Sequence, residues 1–100
     1  MKTKDYRTGL LERLQNSDYA AGYLSDVLRE ESAEAFLIAL RDVLDAREQN
    51  ISALSKKSGV TRQGVYLALS KSGNPRLSTL TEILNSLGLQ LAISPKEAAA

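Results

Sequence analysis

Two adjacent side chains, Arg62 and Gln63, carry the most specific chemistry in the chain. An arginine can grip guanine O6 and N7 with two parallel hydrogen bonds, and a glutamine can do the same at adenine N6 and N7. Both need an element that holds them on one outward face. A helix beginning at Arg62 and running to about Ser70 supplies it. If Val65, Ala68 and Leu69 point inward, helical geometry puts Arg62, Gln63, Tyr66, Leu67 and Ser70 on the opposite side. Thr61 is placed to cap that helix. The candidate base-reading set is therefore Thr61, Arg62, Gln63, Gly64, Tyr66 and Leu67. Three members have a second explanation. Gly64 inside a helix fits close approach of backbone to DNA or ordinary tolerance of glycine. Tyr66 could reach DNA or lean on a neighbouring helix, and Leu67 could meet a thymine methyl or the following turn.

Other chemistries are excluded by what the chain lacks. Without His or Cys there is no zinc finger, thiol nucleophile, disulfide framework or histidine base. No metal, cofactor or catalytic residue is expected, and adjacent carboxylates such as Glu30 and Glu31 read as a solvated helix end. Leu, Ile, Val and Phe make up 26 of the 100 residues, enough for one folded domain. The longest unbroken apolar run, Ala35 to Leu40, is too short to cross a bilayer. Met1 to Asp5 has basic residues with no apolar stretch behind them, so no secretory signal is expected. These features point to a cytoplasmic, non-enzymatic domain with no membrane partner.

Charge is segregated along the chain. Residues 1–50 carry 7 basic and 10 acidic side chains, whereas residues 51–100 carry 6 basic and 2 acidic ones. From Ile51 through Thr81 there is no carboxylate at all. Such a block is either a solvated basic face or the footprint of a surface that meets phosphates. Backbone-phosphate candidates are Asn50 and Ser52 at the start of one short helix, and Lys71, Asn74 and Arg76 in the loop after the reading helix. Lys56 and Lys57 equally suit the end of a helix dipole.

The elements that must position these residues read as helical, so the fold class is all-α. Leu10, Leu11 and Leu14 mark a short first helix, stopped at Asn16-Ser17-Asp18. Ala20, Tyr23, Leu24, Val27 and Leu28 mark a second. Ser32 caps the strongest amphipathic stretch, with Phe36, Leu37, Leu40, Val43, Leu44 and Arg47 on one side and Asp42, Asp45 and Glu48 on the other. A short helix over Ile51 to Lys57 then meets the reading helix through Ser58-Gly59-Val60-Thr61, a helix-turn-helix arrangement. The last helix starts at Ser78 or Thr79 and closes at Gly88. Leu89-Gln90-Leu91-Ala92-Ile93 alternates with a period of two and predicts a short C-terminal β-strand. This gives an N-terminal helical extension over 1–32, a helix-turn-helix DNA-binding domain over 33–88, and a strand and tail over 89–100.

The run from Ile51 to Gly88, with Gly59-Val60-Thr61, Asn74-Pro75, Leu77-Ser78-Thr79-Leu80 and Leu87-Gly88, resembles the Cro and lambda-repressor (XRE) type of helix-turn-helix. It departs from that pattern at Ile51, where a phosphate-gripping Gln is common, at Ser55 for Ala, and at Leu69 for Glu. Almost the whole chain is similar to the addiction-module antidote proteins, a HigA-like antitoxin group. The resemblance is carried by Leu11-Glu12-Arg13-Leu14, Tyr19 through Leu24, Ala35 through Val43 and Thr61 through Ser70. It implies a small toxin partner of RelE/ParE type and a dimer that represses its own operon on double-stranded operator DNA.

Two interfaces follow as expectations. Leu10, Leu14, Tyr19, Tyr23 and Leu24 either bind a partner groove or complete the domain's own core. The terminal strand could pair with its two-fold mate in a homodimer. Two other functions fit the same residues: a stand-alone phage or plasmid regulator without a toxin, and a protein-interaction module that does not bind DNA.

Overall fold

The computed structural model describes residues 3–47, 56, 61–70 and 74–96. Five helices lie among them: α1 (Thr3–Arg13), α2 (Ser17–Glu30), α3 (Ala33–Ala46), α4 (Arg62–Ala68) and α5 (Leu77–Ser86). The all-α class is what the periodicity predicts. The helix expected over Ile51 to Lys57 and the turn at Ser58 to Val60 lie outside the described residues, except Lys56, which is helical and exposed.

Side-chain caps set three of the helix starts. Asn16 Oδ1 accepts from the Tyr19 amide at 2.9 Å, Ser32 Oγ from Ala35 at 3.0 Å, and Thr61 Oγ1 from Gly64 at 2.9 Å. Each bond satisfies an amide that the helix cannot pair internally, an effect of about 1 kcal/mol per cap. The fifth helix begins earlier than its Ser and Thr suggest. Arg76 is its N-cap residue, with extended backbone and no side-chain cap bond. Its other end is closed by Gly88 at φ 75°, where the Gly88 amide donates to Asn85 O and the Leu89 amide to Leu84 O. This paired closure needs a left-handed residue, and glycine adopts that conformation without a Cβ clash.

That closure also explains why no strand follows. Among the described residues there is none, so the β-strand expected over Leu89 to Ile93 is not formed. Leu89 folds back against the core as part of the helix cap. Beyond it Leu91 is 41% exposed and Ile93 fully exposed. Alternation alone cannot make a strand, because the ladder needs a second edge, and no strand among the described residues offers one.

One core draws on all five helices. Leu10 and Leu14 at the end of the first, Ala20 and Leu24 from the second, and Phe36, Leu37, Ala39, Leu40, Val43 and Leu44 from the third meet Val65, Leu69, Ile83, Leu84 and Leu87. Of the two explanations for the N-terminal apolar residues, Leu10, Leu14 and Leu24 follow the second and complete this core, while Tyr19 stays exposed.

Arg47, which the helical pattern places on the apolar side of α3, is 8% exposed. Its Nε donates to Leu14 O at 3.2 Å and its Nη1 to Leu87 O at 2.8 Å, while Nη2 lies 3.4 Å from Ser17 Oγ. Both carbonyls sit just past helix C-termini, the negative ends of the backbone dipoles. One planar cation therefore joins the ends of α1, α3 and α5 to the start of α2. Replacing Arg47 by Ala leaves two inward-facing carbonyls without their donor and opens a cavity, so it should cost about 2–5 kcal/mol. Arg47→Lys should recover only part, because an ammonium cannot span both carbonyls in the same fork. Urea titration checks this, and an unchanged midpoint for Arg47→Ala would contradict it.

Candidate nucleic-acid interface

The α4 helix is short, and two side chains hold it down. Val65 and Leu69 have no exposed surface, and Ala68 is half-buried beside them. Arg62, Gln63 and Leu67 face solvent, with Leu67 71% exposed. Thr61 is exposed, but its hydroxyl oxygen is committed to the cap on Gly64, and Gly64 is half-buried. Ser70 Oγ donates back to Leu67 O at 2.8 Å. Of the phosphate candidates, Asn74 and Arg76 are exposed, while Asn50, Ser52 and Lys71 lie outside the described residues. Among the described members, the structure places Arg62 and Gln63 on one face of α4 and Arg76 at the start of α5.

Tyr66 behaves differently from its neighbours. It is half-buried, and its hydroxyl donates to Asp45 Oδ1 on α3. The Arg41 and Arg62 guanidinium carbons each lie 5.7 Å from the centre of its ring. Cations are attracted to the electron-rich face of an aromatic ring, so the tyrosine gathers two arginines from two helices.

A polar cluster that the sequence pattern does not announce lies beside it. Asp42 and Asp45 are one helical turn apart on α3, the side expected to be solvated. Instead each of their four oxygens accepts one donor. Arg7 bridges the pair, with Nη1 on Asp42 Oδ1 at 2.9 Å and Nη2 on Asp45 Oδ2 at 2.7 Å. The Tyr23 hydroxyl donates to Asp42 Oδ2 at 3.2 Å, and Tyr66 takes the remaining oxygen of Asp45. A hydrogen bond to Asp42, together with the charges of both carboxylates, holds the Arg7 pKa above its ordinary value. The signal available in the sequence was a pair of carboxylates three residues apart, which marks a common face without naming its partners.

The described residues hold no group of three or more His, Cys, Asp or Glu able to bind a metal. Among the described residues, open grooves occur at two places away from α4. One, of about 540 Å³, runs along α2 past Asp18, Tyr19, Tyr23, Asp26 and Glu30. The other, of about 360 Å³, lies between α2, Phe36 and residues 88–92. Neither includes a residue of α4. No helix among the described residues is long and apolar enough to cross a membrane.

A family model described as "Probable addiction module antidote protein" matches residues 5–95. The chain belongs to the addiction-module antidote family. It is also 35% identical, over 82 residues, to an uncharacterized protein of Haemophilus influenzae, which covers 82% of each chain. No solved structure matches it. Antidote function is a binding role rather than an enzymatic one, and it implies a toxin as partner. The antidote match spans α1 and α2 as well as α4 and α5, so the family signature includes the helices that carry Arg7 and Tyr23.

The cluster makes a pH-dependent contribution to the antidote's stability. Burial, then the charge of Asp42 and its hydrogen bond, push the Tyr23 hydroxyl up to about 12. In the unfolded chain a tyrosine titrates near 10. The folded state therefore holds this proton more tightly, and the stabilisation is fully present below about pH 10. Above that the unfolded chain releases its proton first, and stability falls as the pH rises toward about 12. Urea midpoints measured from about pH 9 to about pH 11.5 should fall further for the wild type than for Tyr23→Phe. Parallel curves would remove Tyr23 from this role.

Proposed function

We propose that this antidote is the antitoxin of a type II toxin–antitoxin module, and that it represses its own operon by binding operator DNA as a homodimer. The reading helix is α4, the second helix of a lambda-repressor-like helix-turn-helix. The observation that carries this reading is the exposure of Arg62 and Gln63 together on a helix anchored by Val65 and Leu69. A helix pinned by two buried residues can present a rigid face to a major groove, and these two side chain types make bidentate contacts there. The carboxylate-free stretch from Ile51 to Thr81 favours approach of that face to a polyanion.

Asn74 and Arg76, with Asn50, Ser52 and Lys71, contact the phosphate backbone, while Thr61, Gly64 and Leu67 complete the surface facing the bases and Tyr66, half-buried against α3, supports it from behind. A two-fold dimer would meet a palindromic operator with half-sites about 34 Å apart. The partner is a small RelE/ParE-like toxin encoded beside this gene, and the complex resides in the cytoplasm.

Replacing Gln63 by Ala should cost about 1–3 kcal/mol on operator DNA and little on random DNA. Arg76→Ala should weaken both and flatten the salt dependence by about one unit of slope. Titrations on both DNAs at several salt concentrations measure these effects. Equal losses on operator and random DNA for Gln63→Ala would refute the base-reading assignment. Co-expression with the adjacent gene separates an antitoxin, which co-purifies with a toxin, from a stand-alone regulator, which does not.

A further inference from the structure

We propose that Asp45 and Tyr66 position Arg62 for DNA reading, and that Arg7 ties this arrangement to the N-terminal helix. The inference rests on the DNA-binding reading above and extends it to residues that need not touch DNA. It starts from an unbroken series of contacts. Arg7 of α1 donates to Asp45 Oδ2 at 2.7 Å, the other oxygen of Asp45 accepts from the Tyr66 hydroxyl, and the Arg62 guanidinium lies over the Tyr66 ring. Arg7, Asp45 and Tyr66 thus link α1, α3 and α4, ending at the side chain with the best chemistry for guanine.

Each link has a physical consequence. The tyrosine is half-buried, so its ring direction is fixed by packing and by the hydroxyl's bond to a carboxylate. Arg62 sits one turn before it, at the spacing where helix side chains meet. An exposed arginine otherwise samples many rotamers and must give up that freedom when it binds a base edge. Resting on a fixed ring narrows its range before DNA arrives. Arg41 lies over the same ring from α3, which adds to the restraint on Tyr66. Asp45 holds the hydroxyl while itself held by Arg7, so a change at α1 reaches α4 without any movement of the core.

The test compares wild type, Tyr66→Phe, Arg62→Ala, the Tyr66→Phe/Arg62→Ala double variant and Arg7→Ala on promoter and scrambled DNA. Circular dichroism melts confirm that each is folded at the assay temperature. Tyr66→Phe keeps the ring but frees it from Asp45. It should lower promoter affinity about tenfold, the scale of one hydrogen bond to a charged group, and leave scrambled DNA unchanged. The double variant should bind no more weakly than Arg62→Ala alone, because the tyrosine acts through the arginine. Arg7→Ala should give a smaller loss of the same kind. Wild-type affinity for Tyr66→Phe, equal losses on both DNAs, or additive losses in the double variant would overturn the positioning role. Absence of promoter preference in the wild type would instead bring down the DNA-binding reading, and this inference with it.

Discussion

The structure depends on a buried cation. Arg47 sits at the end of α3 with its guanidinium turned toward the interior, where an ion loses the hydration it would have in water. That cost is offset only if its N–H groups find good acceptors. They do so at Leu14 O and Leu87 O, carbonyls just past two helix ends. A leucine or methionine at this place could fill volume but could not answer those carbonyls. The arginine thereby ties the ends of α1 and α5 to the end of α3. The packing of Leu14, Leu44 and Leu87 around that junction follows from it.

A second polar arrangement works at the other side of α3. Asp42 and Asp45 are satisfied by donors from three other helices, so they act as a hub rather than as solvated charges. Surface ion pairs contribute little individually, but a bridging arginine combined with two half-buried tyrosines fixes geometry as well as charge. The consequence for function is positional. The helix that carries Arg62 and Gln63 is held from below by Val65 and Leu69 and from the side by Tyr66. An antidote that must present a partner-binding surface from a small helical domain gains from such shared supports.

Much of this was legible in the sequence, for reasons that differ from element to element. Asn16, Ser32 and Thr61 announced three helix starts because a cap is a local event between residues three apart. Gly88 announced an end for the same reason. The inward faces of α3 and α5 followed from helical periodicity. The C-terminal strand was misread because a strand is not local. Its pattern was present from Leu89 to Ile93, but the pairing edge it required is missing among the described residues, and Leu89 serves the helix cap. The Asp42–Asp45 hub was missed for the same physical reason. Its partners Arg7, Tyr23 and Tyr66 lie on other helices, and amphipathic patterning assigns a charged face to water unless a distant donor is known. The exposure of Arg62 and Gln63 followed from helical geometry, whereas the place of Tyr66 depended on the carboxylate opposite it.

The central claim, that an antidote of this family reads operator DNA through α4, is tested most directly by titrating the wild-type protein on the DNA upstream of its own gene. Scrambled DNA of equal length serves as the control, at two salt concentrations. The account predicts tighter binding to the upstream DNA, weakened by salt on both substrates, with a protected footprint of two-fold symmetry. Equal affinity for the two DNAs by a folded protein, with and without the adjacent gene product, would contradict it.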